Sequence, residues 1–368
     1  MNTADIQATL SQTAGNWLVS GSRWRTRAIA EAPELTGFSP EMVNEAITLI
    51  FGALKLEALK EFKVPVDAPR RITHILSGNV PAPGIGSICQ GLLLNAINLV
   101  KCSQRDPVFP TLFVESLREV NAELAARVTV RHWSREETSQ TRTALAGADA
   151  VFAYGDDDSI ASLRGLTPVT AKFFGYGYKI SFAIVGQDAS FTGDLMAAAA
   201  FDASVYDQQG CMSPHAFFIE GDARAFAELL AQAMEDYQCR VPRGKQSIEE
   251  AALAAQVREA YEFRSANDSS VAIWSGNPPY PWMVIYDEAA DFTPSCLNRT
   301  VFVKPSKTLN AIRAWTGKIS TVGVAPWNDR LRCLAGDLAE RVCPIGQMQR
   351  PTLLPVMSKS ATSANNEY

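Results

Sequence analysis

Residues 71–102 read RITHILSGNVPAPGIGSICQGLLLNAINLVKC, and their order decides the fold class. Arg71–Leu76 alternates β-branched and apolar residues and predicts a strand. Ser77–Gly84 is a loop rich in Gly, Asn and Pro, all turn formers. Ile85–Asn95 carries apolar residues at helical spacing, and Asn98–Cys102 is again β-rich. A strand, a breaker loop, a helix and a second strand make one βαβ unit, which requires a parallel sheet.

The alternation continues outward. Thr111–Arg127 has Leu112, Val114, Leu117, Val120 and Leu124 at helical spacing, and Val128–His132 follows as a strand. Ser134–Ala146 predicts a helix that opens on a capping box, Ser134 with Glu137 three residues on. Ala148–Tyr154 is a strand, Asp156–Leu163 a short helix, and Val169–Phe174 and Ile180–Val185 are further strands. A second α/β series begins with the helix Ser190–Tyr206. It holds strands at Ala216–Glu220, Val271–Trp274, Trp282–Tyr286, Thr300–Lys304 and Lys318–Val324. Its helices are Ala223–Tyr237, Ile248–Phe263, Ser306–Trp315 and Asp329–Arg341. The expected organisation is a helical lead-in (1–65), a first α/β domain (66–187), a second (188–340), a C-terminal return segment (341–357) and a disordered polar tail (358–368).

Composition excludes several classes. The chain has 368 residues, 47% of them hydrophobic, and a formal charge of −5 without a long basic run, so a nucleic-acid surface is not expected. Seven cysteines lie without CxxC pairs or a Cys/His cluster, which fits a reduced cytosolic protein rather than a disulfide framework or a zinc site. The apolar stretch 85–100 is broken by Ser87, Gln90, Asn95 and Asn98 and is too short for a bilayer. Met1–Asp5 lacks signal-peptide blocks. The reading is a cytoplasmic globular protein without membrane insertion, and a homo-oligomer.

Among the cysteines, Cys211 has a distinct setting: Asp207-Gln208-Gln209-Gly210-Cys211-Met212-Ser213-Pro214-His215. A thiol just past a Gly-containing turn can attack an acyl carbon while backbone N–H groups steady the oxyanion. Cys89 and Cys102 sit in apolar or strand contexts, and Cys239, Cys296, Cys333 and Cys343 lack the Gly-flanked turn. His215 can hydrogen-bond near the thiol, donate a proton, or simply pack. His74 and His132 have no partner in sequence and read as structural. The loop 77–84 is either a ligand-binding strand-to-helix turn or a plain turn. Lys101 either caps a strand edge as a solvated charge or reaches a ribose hydroxyl or phosphate. Asp156–Asp158 reads as a helix N-cap rather than a metal site, having no His or Cys beside it.

Taken together these motifs resemble the aldehyde dehydrogenase superfamily, and within it the acyl-CoA reductases of the LuxC family, over residues 70–350. Gly78-Asn79-Val80-Pro81 matches the family's Gly-Asn-x-Pro, Gln208–His215 its nucleophile motif, and Cys343–Met348 its C-terminal Pro-x-Gly element. Lys101 follows Asn79 by 22 residues, near the superfamily spacing for a ribose-binding lysine. The resemblance implies two doubly wound α/β domains with the active site in the cleft between them, Cys211 as nucleophile, Asn79 as second oxyanion donor and His215 as a proton donor. It implies a cofactor site at Lys101, Ser103, Gln104, Arg105, Gly155 and Ser159. Gln104 and Arg105, where NAD-preferring members carry a glutamate, favour NADP(H), with NAD(H) the alternative.

Hydrolytic aldehyde dehydrogenases place a water-activating glutamate upstream of the cysteine, at a point that falls in 174–181 here; Phe174–Ser181 contains no carboxylate. That favours reduction of an acyl thioester, with acyl-CoA as the expected donor. The alternatives are an acyl phosphate, a carrier-protein thioester, a cofactor-free Cys–His acyltransferase, or a non-catalytic acyl- or cofactor-binding subunit. A partner acyl-transfer or synthetase subunit fits the same resemblance. Asp156–Asp158 departs from the pattern, because three carboxylates near a pyrophosphate repel it unless they point away. The chain is also shorter at its N-terminus than luciferase-linked reductases, which leaves fatty-acyl specificity open.

Overall fold

The computed structural model describes residues 1–80, 82–292, 294–339 and 341–350. The described chain divides into two compact units, Met1–Thr36 with Val43–Tyr178, and Gly37–Met42 with Lys179 onward.

Four helices open the chain: α1 (Thr3–Leu18), α2 (Arg23–Thr36), α3 (Pro40–Gly52) and α4 (Leu56–Lys60). In the first unit Trp17, fully buried, stacks on Phe51 at 4.4 Å between ring centroids and donates its indole N–H to Ser116 Oγ at 2.8 Å. That bond satisfies the one polar atom of a large apolar side chain inside the core.

The rest of the first unit runs β1 (Arg71–Ile75), α5 (Ala82–Leu93), β2 (Ile97–Lys101), α6 (Val108–Val120), α7 (Ala122–Ala125), β3 (Val128–Arg131), α8 (Thr138–Ala146), β4 (Ala150–Tyr154), α9 (Asp157–Leu166) and β5 (Lys172–Tyr176). The strands form a parallel sheet in the order β3-β2-β1-β4-β5. The order reverses beside β1, so the chain leaves neighbouring strands β1 and β4 in opposite directions and opens a crevice at their carboxyl ends.

The second unit holds β6 (Ile180–Val185), α10 (Gly193–Ser204), β7 (Pro214–Ile219), α11 (Ala223–Arg240), α12 (Ile248–Asn267), β8 (Val271–Ser275), β9 (Met283–Asp287), β10 (Thr300–Pro305), β11 (Ile319–Ala325), α13 (Asp329–Gly336) and β12 (Arg341–Pro344). Its seven strands are ordered β12-β11-β6-β7-β10-β9-β8, parallel except for the β8–β9 pair. β6, β7 and β9 are buried along their whole length, the signature of strands covered on both faces. Phe217, Phe226, Leu230 and Val301 belong to the core on one side, and Phe182, Phe218, Phe302 and Leu331 to the core on the other.

Several expectations need correction. The strand Ile180–Val185, expected in the first domain, pairs with β7 and β11 in the second sheet, so the boundary lies at Tyr178/Lys179 instead of 187/188. Residues 37–42 pack with the second unit, not with the helical lead-in. The helix expected to run from Asp329 to Arg341 stops at Gly336, and Arg341–Pro344, expected in a separate return segment, becomes edge strand β12 of the second sheet. α5 starts at Ala82, inside the expected loop, because Pro is tolerated in a first turn whose N–H groups have no intrahelical partner. α6 starts earlier than expected and breaks at Asn121, whose side chain caps α7 by accepting from Leu124 N–H. The Ser134–Glu137 pair forms a turn ahead of α8 and not its first turn: Ser134 N–H donates to Glu137 at 2.6 Å, and the helix begins at Thr138. The disordered tail (358–368) and Pro81 of the Gly-Asn-Val-Pro motif lie outside the described residues.

Candidate active site

α10 ends at Ser204, and the chain turns through a 3-10 segment, Val205–Gln208, in which Tyr206, Asp207 and Gln208 have φ of 55°, 50° and 64°. Left-handed backbone costs a non-glycine residue about 1–2 kcal/mol, so three in succession need strong outside anchors. Asp207 supplies one: its carboxylate accepts from Arg299 Nε at 2.9 Å and from Gly244 N–H at 3.0 Å. Arg299, fully buried, also donates to Gln238 Oε1 at 2.7 Å and Val241 O at 2.9 Å, and its guanidinium lies 5.3 Å from the Tyr237 ring centroid. Gln208 is the other: Thr300 N–H donates to its Oε1 at 2.9 Å while its Nε2 donates to Pro214 O at 2.8 Å, tying the segment to β10 and β7.

The turn that follows is closed by Ser213 N–H donating to Gly210 O at 2.9 Å, and Cys211 occupies its second position. The Cys211 carbonyl is fixed by Ser181 Oγ, which donates to it at 2.7 Å and accepts from Thr321 N–H at 3.1 Å. Ser213 Oγ accepts from Gln349 Nε2 at 3.1 Å. Gln349 follows a turn pinned by the buried Asp202 carboxylate, which accepts from Gly346 and Met348 N–H. The C-terminal element singled out in the sequence therefore braces the cysteine turn.

Cys211 is open to solvent, yet the protein packed around its sulfur pushes the thiol up, opposed by a hydrogen bond from Ser320 and by the charge of Lys179. A thiolate here is stabilised by one hydroxyl and one cation while being desolvated. Burial also raises the thiols of Cys89, of Cys102 (to about 12) and of Cys343 (to about 11), and these three residues are buried. Cys239 and Cys333 sit exposed on helices, and Cys296 is half-buried with its Sγ 3.4 Å from Thr300 Oγ1. His215 sits in β7, nearly fully buried, with Nδ1 accepting from Ser295 N–H at 3.0 Å. Burial lowers its pKa to about 4. It is neutral at physiological pH, carries its proton on Nε2 as assigned from that bond, and anchors the 295 loop. His74 is likewise buried and neutral, between Ser87 Oγ at 2.6 Å and Asn98 Oδ1 at 3.0 Å.

In the first unit, the carboxyl ends of β1, β2 and β4 line a cavity of about 260 Å³. Lys101, Gly155 and Ser159 line it, whereas Ser103, Gln104 and Arg105 do not. Those three form a turn, Arg105 N–H donating to Ser103 Oγ at 3.2 Å, packed against Gly78. A Cβ on Gly78 would stand 2.5 Å from Ser103 Oγ and 2.6 Å from Arg105 Cβ, so only glycine allows this approach. Asn79 is exposed, its Oδ1 accepting from Ser77 Oγ at 2.7 Å. The aspartates are exposed, and two of their carboxylates are engaged by backbone N–H groups. Asp156 caps α9 through Ser159 N–H at 2.7 Å, and Asp157 accepts from Tyr178 N–H at 2.8 Å. Sequence reasoning missed Arg135 and Thr138 in the cavity lining, and Ser181, Lys179, Ser320 and Arg299 around Cys211. Phe174–Ser181 was read for a missing carboxylate, and the lysine and serine inside it carried a signal that went unread. The others had none.

A parallel sheet with a crevice at β1/β4, and a Gly-Cys turn braced from a second sheet, match a known pattern. The model of the acyl-CoA reductase (LuxC) family fits residues 66–352. The chain belongs to this family. Among curated relatives, the long-chain acyl-protein thioester reductase 2 of Photobacterium leiognathi is 29% identical over 74% of this chain, and the long-chain acyl-protein thioester reductase of Aliivibrio fischeri is 27% identical over 74%. The chain spans 58% and 57% of the length of those two LuxC-type relatives. The fold is that of aldehyde dehydrogenases. A NAD-dependent benzaldehyde dehydrogenase from Corynebacterium glutamicum superposes with a TM-score of 0.70 at 13% identity, covering 95% of this chain and 83% of that one. Glyceraldehyde-3-phosphate dehydrogenase GapN from Methanocaldococcus jannaschii, complexed with NADP, gives 0.70 at 13% identity over 94% and 81%. Among the described residues no helix is long and apolar enough to cross a membrane.

Proposed function

We propose that this protein reduces a long-chain acyl thioester to the aldehyde through an acyl group carried on Cys211. The observation that carries the reading is the electrostatic setting of that thiol: the charge acting on it is Lys179, a cation, and the segment that would hold a water-activating glutamate has no carboxylate. A cation stabilises thiolate but cannot serve as the base that makes hydroxide, so a Cys211 thioester resists hydrolysis and lasts long enough to be reduced. The names of the relatives shift the expected donor from acyl-CoA to an acyl group borne on a protein.

In this reading the Cys211 thiolate attacks the donor carbonyl, its bond to the acyl carbon replaces the donor's C–S bond, and the donor leaves as a thiolate that takes up the proton Cys211 gave up. The Cys211 N–H is the first oxyanion donor, its peptide held through the Gly210 carbonyl that accepts from Ser213 N–H, while Ser181 holds the following peptide at the Cys211 carbonyl. Asn79 is the second oxyanion donor, a role resting on its Gly-Asn-Val-Pro motif. His215, neutral and bonded to Ser295, acts by positioning the 295 loop. The cavity in the first unit fits the adenosine end of NADP(H): Lys101 stands half-buried at the end of β2, and Gly155 lies against Ser159, a Cβ on it falling 3.2 Å from Ser159 Cβ. The nicotinamide, when bound, supplies hydride to the thioester carbon. Cys211 then leaves as thiolate when the tetrahedral adduct collapses to aldehyde.

The test is NADPH oxidation with acyl-CoAs and acyl-protein thioesters as donors, with intact-mass detection of the acylated chain. Donor-dependent oxidation and a mass increase lost in Cys211→Ala support the proposal. Undiminished reduction by Cys211→Ala refutes it, and acylation without oxidation favours an acyl-transfer or acyl-binding subunit.

A further inference from the structure

Resting on the cofactor reading above, we propose that Arg135, on the loop after β3, is the residue that selects a 2′-phosphorylated adenosine, together with Lys101. Where an adenosine ribose lies at the end of the second strand of such a sheet, an acidic side chain holds the free 2′-hydroxyl, and a cation in its place accommodates a phosphate. Here β2 ends in Lys101, and Arg135 lines the same cavity from the β3 side. No described residue lining the cavity is acidic, while Thr138 and Ser162 add hydroxyl donors to its wall. A dianionic group is therefore met by a lining with two cations, several hydroxyls and no carboxylate, whereas a bare ribose brings those cations no anionic ligand.

The carboxylates near Arg135 are engaged elsewhere. Asp156 feels the Arg135 charge but accepts from Ser159 N–H. Glu136 accepts from Ser134 Oγ at 2.6 Å, and Glu137 from Ser134 N–H and Gln140 Nε2. Among the described residues neither Lys101 nor Arg135 forms an ion pair. Lys101 is partly desolvated, which lowers its pKa and sharpens the need for an anionic partner. A planar guanidinium can grip a phosphate through two parallel hydrogen bonds, which an ammonium cannot. The 2′-phosphate discrimination thus moves from Gln104 and Arg105, which lie outside the cavity lining, to a residue far from both in sequence.

The experiment is isothermal titration of the full chain with 2′,5′-ADP and with ADP, probes that carry the adenosine end alone and need no turnover. The unsubstituted chain should bind 2′,5′-ADP roughly tenfold or more tightly than ADP, the weight of one charge-assisted contact. Arg135→Ala should bring that ratio close to one, and Arg135→Lys should retain part of it, with melting curves confirming that both fold. A ratio unchanged in Arg135→Ala overturns the inference. A ratio near one in the unsubstituted chain, with both probes binding, overturns it while leaving the cofactor site standing. Failure of both probes to bind overturns the cofactor reading itself.

Discussion

The Asp207–Arg299 pair sits at the root of the cysteine turn, and its removal is the most demanding test of how that turn is held. Arg299→Met keeps most of the side-chain volume but withdraws the guanidinium from Asp207, Gln238 and Val241. Asp207 is then a buried carboxylate holding Gly244 N–H, inside three left-handed residues. Breaking a buried pair by deleting one partner costs about 3–5 kcal/mol, and in a unit of this size that lowers the melting temperature by roughly 10 °C. Burial already raises the Asp207 pKa against the pull of Arg299, so losing the cation raises it further. The variant's carboxyl then takes up a proton on folding, and its deficit against the parent shrinks as pH falls and is largest in alkali. Asp207→Asn combined with Arg299→Met removes both charges and should recover about half the loss of Arg299→Met, roughly 2 kcal/mol. Calorimetry at several pH values reads all three quantities. The reasoning fails if Arg299→Met melts within a degree or two of the parent, or if the double variant is no more stable than the single one.

Ser181→Ala frees the Cys211 carbonyl and leaves Thr321 N–H without its acceptor; single-turnover acylation should slow by roughly 10- to 100-fold, since small misplacements of a nucleophile are costly. Gly91→Ala places a Cβ 1.8 Å from Asn98 Oδ1, the acceptor of the His74 bond, and should destabilise by at least about 1–3 kcal/mol, read by denaturant unfolding. His215, held at about 4 by burial, stays neutral in the fold while the unfolded chain protonates below about pH 6.5. Its contribution is present above that pH and lost on acidification toward pH 4, at most about 3 kcal/mol. It is read as the difference between parent and His215→Gln, because Asp106 (about 6) and Asp202 (about 7) are raised by burial and titrate in the opposite sense over the same window. A difference that stays flat from pH 7 to 4 refutes it.

The alternation of strands and helices was legible because parallel strands covered on both faces must be apolar throughout; Ile180–Val185 is a continuous apolar run apart from Ser181. Its partner strands were not legible, since an apolar run carries no mark of the sheet it joins, and β6 went to the wrong domain for that reason. Residues 329–341 failed differently. A helix of two turns and a four-residue edge strand share one apolar periodicity over so short a span. Long-range anchors were invisible for a plainer reason: Arg299 lies 92 residues from Asp207, and nothing local to either names the other.

The motif Asp207–His215 shows what a nucleophile signature is made of. Asp207 and Gln208 hold strained backbone, Ser213 takes the brace from Gln349, and His215 grips the 295 loop. Gly210 closes the turn. Of the residues with an assigned contact, Cys211 alone is exposed and carries a nucleophilic atom, so most of the motif's specificity comes from the demands of the turn and little from the chemistry. His215 follows from the same point. Its place four residues after the cysteine suggested a proton donor, but β7 begins at Pro214 and carries the ring into the core, where it bonds Ser295. In a strand, proximity in sequence passes to alternate faces at every residue, so a neighbour of a nucleophile is as readily a strut as a catalyst. Lys179 and Ser181, thirty or so residues upstream, act on the thiol and its peptide through the adjacent strand β6. Parallel sheets bring distant residues to one end in this way, and the chemistry of this site is assembled across strands more than along the motif.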